Sequence, residues 1–524
     1  MRKRRREEAP LYKKDLLQPL ADRPFQPPKI SIEEAKLYKP ARISTRCPQC
    51  GGELSFDEGS NAVQCSYCGV ALLASGYGRI LSYHLLPKMT DEDAQGDSLG
   101  LLASRGSKGT IRDIRLVFVP FYRLTGLDFS WSWRDKEITS PLTTPTPTAD
   151  SSLRSFRKEE EGWDMGNLPP LKEKVYSLTW SYLDRTFLAA GLPFLNLRSL
   201  GVRSQILTLR LFDPSELSNR AQVMPVAMDW KKAWDRVEKT LTSENITRRK
   251  LINRILSLVF FPLWEVQIEG DGKTLSLIFD GVARSFLQEE ATSPFLPEKS
   301  PDGTFSTQAL RFRSLSCPNC GTTLPVEPAF RIFSCSTCHR VWQIREDEFE
   351  GIPYRLAISP GKPDISKTRY LPFWIFLGEV LLEGKIIANR LDLSRIIPMG
   401  RILSEEEKAM PLRFFIPAFK ARDLSVVNRL STSFTRMQPR FQTRERFEEV
   451  LYPGGVLDRN EAADFAHLAL VSIAPKGNPK LVERVARAEL SLSPGELIFF
   501  PFQEQLNSLR EDFLGTAIQL NTLR

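Results

Sequence analysis

The sequence predicts an α+β fold in which β predominates: two zinc ribbons, each followed by a small curved sheet with helices, the chain being internally duplicated. Three observations carry this expectation. The cysteine pattern CPQCGGELSFDEGSNAVQCSYC at residues 47–68 returns as CPNCGTTLPVEPAFRIFSCSTC at residues 317–338. A hydrophobic–Pro–aromatic signature typical of strands occurs four times, as FVPFYRL, FFPLWEV, YLPFWIF and FFPFQEQ around Pro120, Pro262, Pro372 and Pro501. These elements also follow one another in the same order in each half.

Cys47, Cys50, Cys65 and Cys68 form the first set and Cys317, Cys320, Cys335 and Cys338 the second, accounting for all eight cysteines. Each set is two CxxC pairs separated by fourteen residues. A tight CxxC turn points both sulfurs at one ion, and a second turn completes a tetrahedron of thiolates around Zn2+. The prolines of CPxCG stiffen the turn, and the glycine permits the positive φ where the chain leaves it. His339 stands where the last turn would carry that glycine. The competing reading is CxxC disulfide or redox pairs, but a redox CxxC opens a helix after a strand, whereas these pairs are joined by short strand–turn segments. Four thiolates leave no open coordination position, so the two zincs expected per chain hold structure.

A chain of 524 residues is long enough for two to four domains, and its 42% hydrophobic and 26% charged residues are ordinary globular values. No apolar run reaches the roughly 18 residues of a membrane helix, and YLPFWIFLGEVLL is interrupted by Pro372 and Glu379. MRKRRREEAP is followed by no apolar stretch, so no signal peptide is expected. With every cysteine in a metal motif, a reducing cytoplasm is expected. Of the formal charge of +9, residues 1–46 carry +7. A nucleic-acid-wrapping protein spreads basicity over its folded domains, whereas here it sits in a tail.

In chain order, residues 1–46 read as a basic disordered arm, with one short helix near Ser31–Leu37 and with Arg2, Lys3, Arg4, Arg5 and Arg6 as contacts for phosphates or an acidic partner. Residues 47–75 are ribbon 1, and residues 76–286 a first α+β unit. Within that unit SYHLLP is a strand, Thr90 starts a helix, and Phe129, Trp131 and Trp133 alternate as on a half-buried strand. The Pro/Thr-rich stretch within 138–170 reads as an exposed loop. YSLTWSYLDRTFLAAGLPFLNLRSLG reads as strand, turn and short helical entry. Asp229–Leu241 is an amphipathic helix with Trp230, Ala233, Trp234 and Val237 on one face, and Leu251, Ile252, Ile255 and Leu256 suggest a second helical face. The next two strands flank Asp271-Gly272, the pair favoured in a tight hairpin turn. Residues 287–310 read as a linker, 311–345 as ribbon 2, and 346–524 as the second α+β unit.

The duplication extends beyond the cysteines. LPFLNLRSL at Leu192–Leu200 aligns with IPAFKARDL at Ile416–Leu424, and the face at Leu251–Leu256 aligns with Leu481, Val482, Val485 and Ala486. Proline lacks the ladder donor, so prolines in four strands suggest shared edge or bulge geometry. Phe121, Tyr122, Trp264, Phe373 and Trp374 are expected in the core, the alternative being a base-stacking surface.

The two cysteine motifs resemble rubredoxin-like and transcription-factor-type zinc ribbons. Joined to Pro-Phe-Trp strands, they look like a group of uncharacterised bacterial zinc-ribbon proteins. That resemblance implies zinc binding and little else. No phosphate loop is present, since SRGSKGT has the wrong spacing, and there is no HExxH, GxSxG or dinucleotide fingerprint. His84, His339 and His467 have no partners at metal or triad spacing, and Glu265, Asp271 and Asp280 read as a surface face and turn. The expectation is a non-enzymatic scaffold or adaptor that binds a protein partner through duplicated modules. Alternatives are nucleic-acid binding through the basic arm and the ribbons, or an enzyme whose site converges from distant segments.

Overall fold

The computed structural model describes residues 40–523 except 78–79, 139–170, 202–206, 214–220, 242–244, 271–272, 296–309, 346, 362–363, 399–401, 446–451 and 476–477. Arg2–Arg6, the helix expected near Ser31–Leu37 and the loop from 139 onward lie outside the described residues.

The first half contributes strands β1 (Arg42–Arg46), β2 (Glu53–Asp57), β3 (Ala62–Gln64), β4 (Ala71–Ser75), β5 (Leu81–His84), β6 (Thr110–Ile138), β7 (Leu171–Leu188), β8 (Leu209–Leu211), β9 (Ala221–Val223), β10 (Ile246–Gly270), β11 (Lys273–Asp280) and β12 (Ser285–Glu290). Helices α1 (Asp91–Ser104) and α2 (Trp230–Leu241) accompany them. The second half contributes β13 (Arg311–Ser314), β14 (Ile332–Ser334), β15 (Val341–Arg345), β16 (Glu348–Ile352), β17 (Tyr354–Ala357), β18 (Thr368–Leu382), β19 (Lys385–Ile387), β20 (Arg413–Pro417), β21 (Thr443–Arg444), β22 (Gly454–Gly455), β23 (Glu489–Leu492), β24 (Glu496–Gln505), β25 (Ser508–Glu511) and β26 (Ala517–Gln519). Its helices are α3 (Arg390–Ile396), α4 (Glu405–Lys408), α5 (Leu424–Met437), α6 (Arg459–Ser472) and α7 (Pro479–Ala486). The molecule is β-rich, as the sequence indicated. Thr90 caps α1 through a capping box with Asp93.

The four proline-marked strands form two antiparallel pairs, β6 with β10 and β18 with β24. Pro120 faces Phe260 and Pro262 faces Phe118, while Pro372 faces Phe499 and Pro501 faces Tyr370. The two pairs therefore have the same stagger. β5 runs parallel to β10 with His84 opposite Phe260, and β17 runs parallel to β24 with Leu356 opposite Phe499. A hairpin strand follows each second proline, β11 from Leu263 opposite Asp280 and β25 from Phe502 opposite Glu511. On the far side of the first strand, Ala189 N donates to Pro120 O at 2.9 Å and Ala418 N to Pro372 O at 2.9 Å.

Those registers explain the prolines. Pro120 falls between the stretch of β6 paired with β9 and the stretch paired with β7. Pro262 falls between the partners β5 and β11, and Pro501 between β17 and β25. Pro120, Pro262 and Pro501 each occupy a seam where the neighbouring strand changes, and Pro372 lies one residue before the β20 ladder begins at Phe373, so the missing N–H falls outside these ladders. The shared geometry is a seam rather than the expected outer edge or bulge.

Leu251, Ile252, Ile255 and Leu256 lie in strand β10, not in a helix. A bulge between Ile252 and Ile255, with Asn253 at φ 54, breaks the two-residue alternation and leaves pairs of apolar residues at helix-like spacing. Leu481, Val482, Val485 and Ala486 do form the buried face of α7, so the two segments are not counterparts. The chain register places Leu188, not Pro193, level with Pro417, because Leu188 faces Phe121 and Pro417 faces Phe373. Leu192–Leu200 is irregular rather than a helical entry. Arg42–Arg46 is a strand and not part of a disordered arm, since β2 offers it a complete antiparallel ladder. Residues 287–290 belong to β12, paired with β11, and Phe295 is buried, so the linker does not begin at 287.

Glu265 and Asp280 are not surface groups: both are fully buried. Glu265 pairs with Arg115 at 2.8 Å and accepts from the Ser276 hydroxyl. Asp280 accepts from Val282 N at 2.9 Å and Ala283 N at 2.7 Å. The hairpin itself is as expected, with Gly270 opposite Lys273, while Asp271 and Gly272 lie outside the described residues. Phe121, Tyr122, Phe373 and Trp374 are buried in the core, and Trp264 is half-buried. On α2, Ala233 and Val237 are buried but Trp230 is exposed.

The halves are packed together rather than strung on a linker. Phe129 and Trp131 of β6 and Tyr176 of β7 share one apolar core with Trp374 and with α6 and α7. The Phe129 and Phe465 rings lie 5.5 Å apart, edge to face. Arg248 of β10 donates to the carbonyls of Ala486 and Ala488 at the end of α7, at 2.9 and 2.8 Å.

Candidate metal centres

Each ribbon is a hairpin carrying one CxxC turn, placed beside a preceding CxxC turn. The four turns are built alike. Gly51 N donates to Cys47 O, Gly69 N to Cys65 O, Gly321 N to Cys317 O and His339 N to Cys335 O, at 2.9 to 3.0 Å. The donating residue is left-handed every time, with φ of 71, 73, 75 and 55 respectively. His339 thus keeps the turn geometry although it carries a side chain, a strained state for a residue with a Cβ.

The eight sulfurs gather into two groups of four, the sulfurs of each group lying within 4.8 Å of one another. Cys47 and Cys68 are 3.9 Å apart at Sγ, Cys50 and Cys65 3.8 Å, and both Cys317–Cys338 and Cys320–Cys335 3.5 Å. A disulfide requires about 2.05 Å. A tetrahedron of Zn–S bonds of about 2.3 Å has an edge of about 3.8 Å. Both sets could therefore hold a metal ion, and their size and all-sulfur chemistry suit zinc.

The inner cysteine of each pair is set by burial: Cys47, Cys65, Cys317 and Cys335 are buried, whereas Cys50, Cys68 and Cys320 are exposed. Three thiols, Cys65, Cys317 and Cys320, are held low. Backbone N–H groups of Cys68 and Tyr67 lower Cys65 to about 7, and the Thr322 hydroxyl, with its backbone N–H, lowers Cys320 to about 6. Burial pushes Cys335 up to about 11. In ribbon 2 the Trp342 indole Nε1 donates to Cys317 Sγ at 3.3 Å. Such N–H groups aimed at sulfur favour thiolate and orient it for a cation.

An arginine anchors each ribbon to the body of the molecule. Arg123 of β6, fully buried, pairs with Glu58 in the turn between β2 and β3 and with Asp184 of β7 at 2.8 Å. Arg331 of ribbon 2 pairs with Asp458 at 3.5 Å and Glu461 at 3.3 Å on α6, and donates to Asn253 of β10 at 2.9 Å. Cysteine spacing points to neither arginine, because each acts between segments far apart in sequence.

The three histidines are not brought together with these sites as ligands. His84 is buried, edge-on to Phe118 and Phe212, and burial together with Arg210 lowers it to about 4. His467 is likewise lowered to about 4, mainly by burial. His339 is exposed on the ribbon 2 turn. Among the described residues, no helix is long and apolar enough to cross a membrane.

Comparison with known proteins returned no matching family model, curated protein or solved structure.

Proposed function

We propose that this protein is a non-enzymatic, internally duplicated zinc-ribbon scaffold that engages a protein partner in the cytoplasm. The observation that carries the reading is the four-sulfur composition of both clusters. A Zn2+ held by four thiolates has no position left for water or substrate, so its contribution is to fold and not to reaction. The ribbons then present shaped, rigid surfaces: Tyr67, between Cys65 and Cys68, is 70% exposed on such a turn. An exposed tyrosine on a metal-stiffened turn loses little entropy on docking and offers both apolar area and a hydroxyl.

The duplication is supported by the shared register of the proline-marked strands and by two further coincidences. Tyr122, two residues after Pro120, donates its hydroxyl to Met228 O at 2.9 Å, and Trp374, two after Pro372, donates Nε1 to Leu457 O at 3.0 Å. Met228 precedes Asp229 and Leu457 precedes Asp458, whose carboxylates accept from the first turns of α2 and α6. On this reading α2 and α6 are the matching helices.

A photo-crosslinking residue at position 67, introduced into the full chain in its own cells, tests the proposal. A control at position 402 uses Ile402, which is 96% exposed and remote from the cysteine sets in sequence. A discrete protein adduct at 67, absent at 402 and resistant to nuclease, is expected. Adducts only to nucleic acid, abolished by neutralising Arg2–Arg6, would replace the scaffold with nucleic-acid binding.

A further inference from the structure

Ribbon 1 is completed by a strand from the second half. In ribbon 2 the hairpin β14–β15 gains its third strand from β16, with Arg345 opposite Glu348 and Val341 opposite Ile352. In ribbon 1 the matching edge of β4 is taken by β13, with Ser75 opposite Arg311 and Leu72 opposite Ser314. β13 then leads straight into the second cysteine set: buried Leu315 donates its N–H to Ala71 O at 2.9 Å, two residues before Cys317.

The other arm of ribbon 2 is held as well. Asn61, at the start of β3, donates its backbone N–H to Pro328 O at 2.8 Å and its Nδ2 to Phe330 O at 3.0 Å. Phe330 precedes β14, which delivers Cys335. Gly76 N, at the end of β4, donates to Asp347 Oδ1 at 2.6 Å, just beyond β15. Between these bonds lies one apolar cluster with Ala62 and Leu73 from ribbon 1 and Leu315, Leu324, Phe330, Phe333 and Trp342 from ribbon 2. Cys317 and Cys335 are themselves members of that cluster.

We infer that the two metal sites are thermodynamically coupled, so that metal at either set raises the affinity of the other through the β4–β13 ladder and the shared core. This rests on the zinc reading above. Ligation fixes the hairpin that carries Cys65 and Cys68, and that hairpin positions both approaches to the second set. A site whose ligands are already arranged loses less conformational freedom on binding, and linkage makes the effect reciprocal. Couplings of this kind change affinity by about 5- to 150-fold.

The test uses the full chain, stripped of metal and reloaded with one zinc per chain, with loading states counted by native mass spectrometry. Two independent, equal sites would leave about half the chains singly loaded, and a tenfold coupling reduces that to about a quarter. The partner measurement uses Asn61→Ala combined with Asp347→Ala, which keeps all eight cysteines and removes two side-chain bonds between the ribbons. The wild-type chain is expected to show the depleted singly loaded state, and the double variant a clearly larger singly loaded fraction while still reaching two zincs at saturation. A wild-type chain that leaves about half of its molecules singly loaded overturns the coupling while leaving the zinc reading intact. A wild-type chain that takes up no zinc overturns both.

Discussion

At the scale of single residues, buried acids do unexpected structural work. Asp280 and Glu511 hold the same place at the end of the hairpin strand after Pro262 and Pro501, and each folds its carboxylate onto the backbone of the following turn. Glu511 accepts from Phe513 N at 2.6 Å, Leu514 N at 2.8 Å and Thr516 N at 2.6 Å. Glu511→Ala leaves those donors without their acceptor, and thermal unfolding should report a loss of about 2–4 kcal/mol. A loss below about 0.5 kcal/mol would show that the turn re-satisfies itself. His84 is the second case, since the same register in the other half carries Leu356. Its folded-state value of about 4 lies below the usual 6.5, so the unfolded chain takes the proton first. Stability is therefore lost as pH falls from 6.5 toward 4. His84→Leu should flatten that part of the stability profile, measured by denaturant unfolding across the range, and an unchanged slope would assign the loss elsewhere.

Elements were legible in the sequence to the extent that their signals were local. The cysteine turns, the start of α1, α2 and the β10–β11 hairpin follow from spacing and turn chemistry, and they are present. The stretch at Leu251–Leu256 reads as a helical face although it is a strand, because a bulge inserts an extra residue and periodicity alone cannot tell a bulged strand from a helix. Asp280 and Glu265 read as surface groups because their partners, turn amides and Arg115, are invisible to a composition argument. The docking of β13 on β4 carried no sequence signal at all, since the paired residues lie more than 200 positions apart. One element contact can be tested by itself: Arg248 grips the carbonyl end of α7, where a cation also suits the helix dipole. Arg248→Ala should cost about 1–3 kcal/mol and raise amide exchange in 479–488 more than in the ribbons. Uniform exchange across the chain would show that this contact does not act locally.

For the whole molecule, two sheets with matching registers are welded by a mixed core, and the ribbons are joined to each other as well as to their own halves. Metal removal should consequently propagate beyond the cysteines, loosening β13 and the segment before β14. The most direct measurement is native mass spectrometry of the full chain purified without added metal, repeated after denaturation to weigh the bare polypeptide. The expected result is two zinc ions on the native chain and eight reduced cysteines on the denatured one. A folded chain that carries no metal, or whose bare mass is lighter by the hydrogens lost to disulfides, would contradict the zinc-ribbon assignment on which the scaffold reading stands.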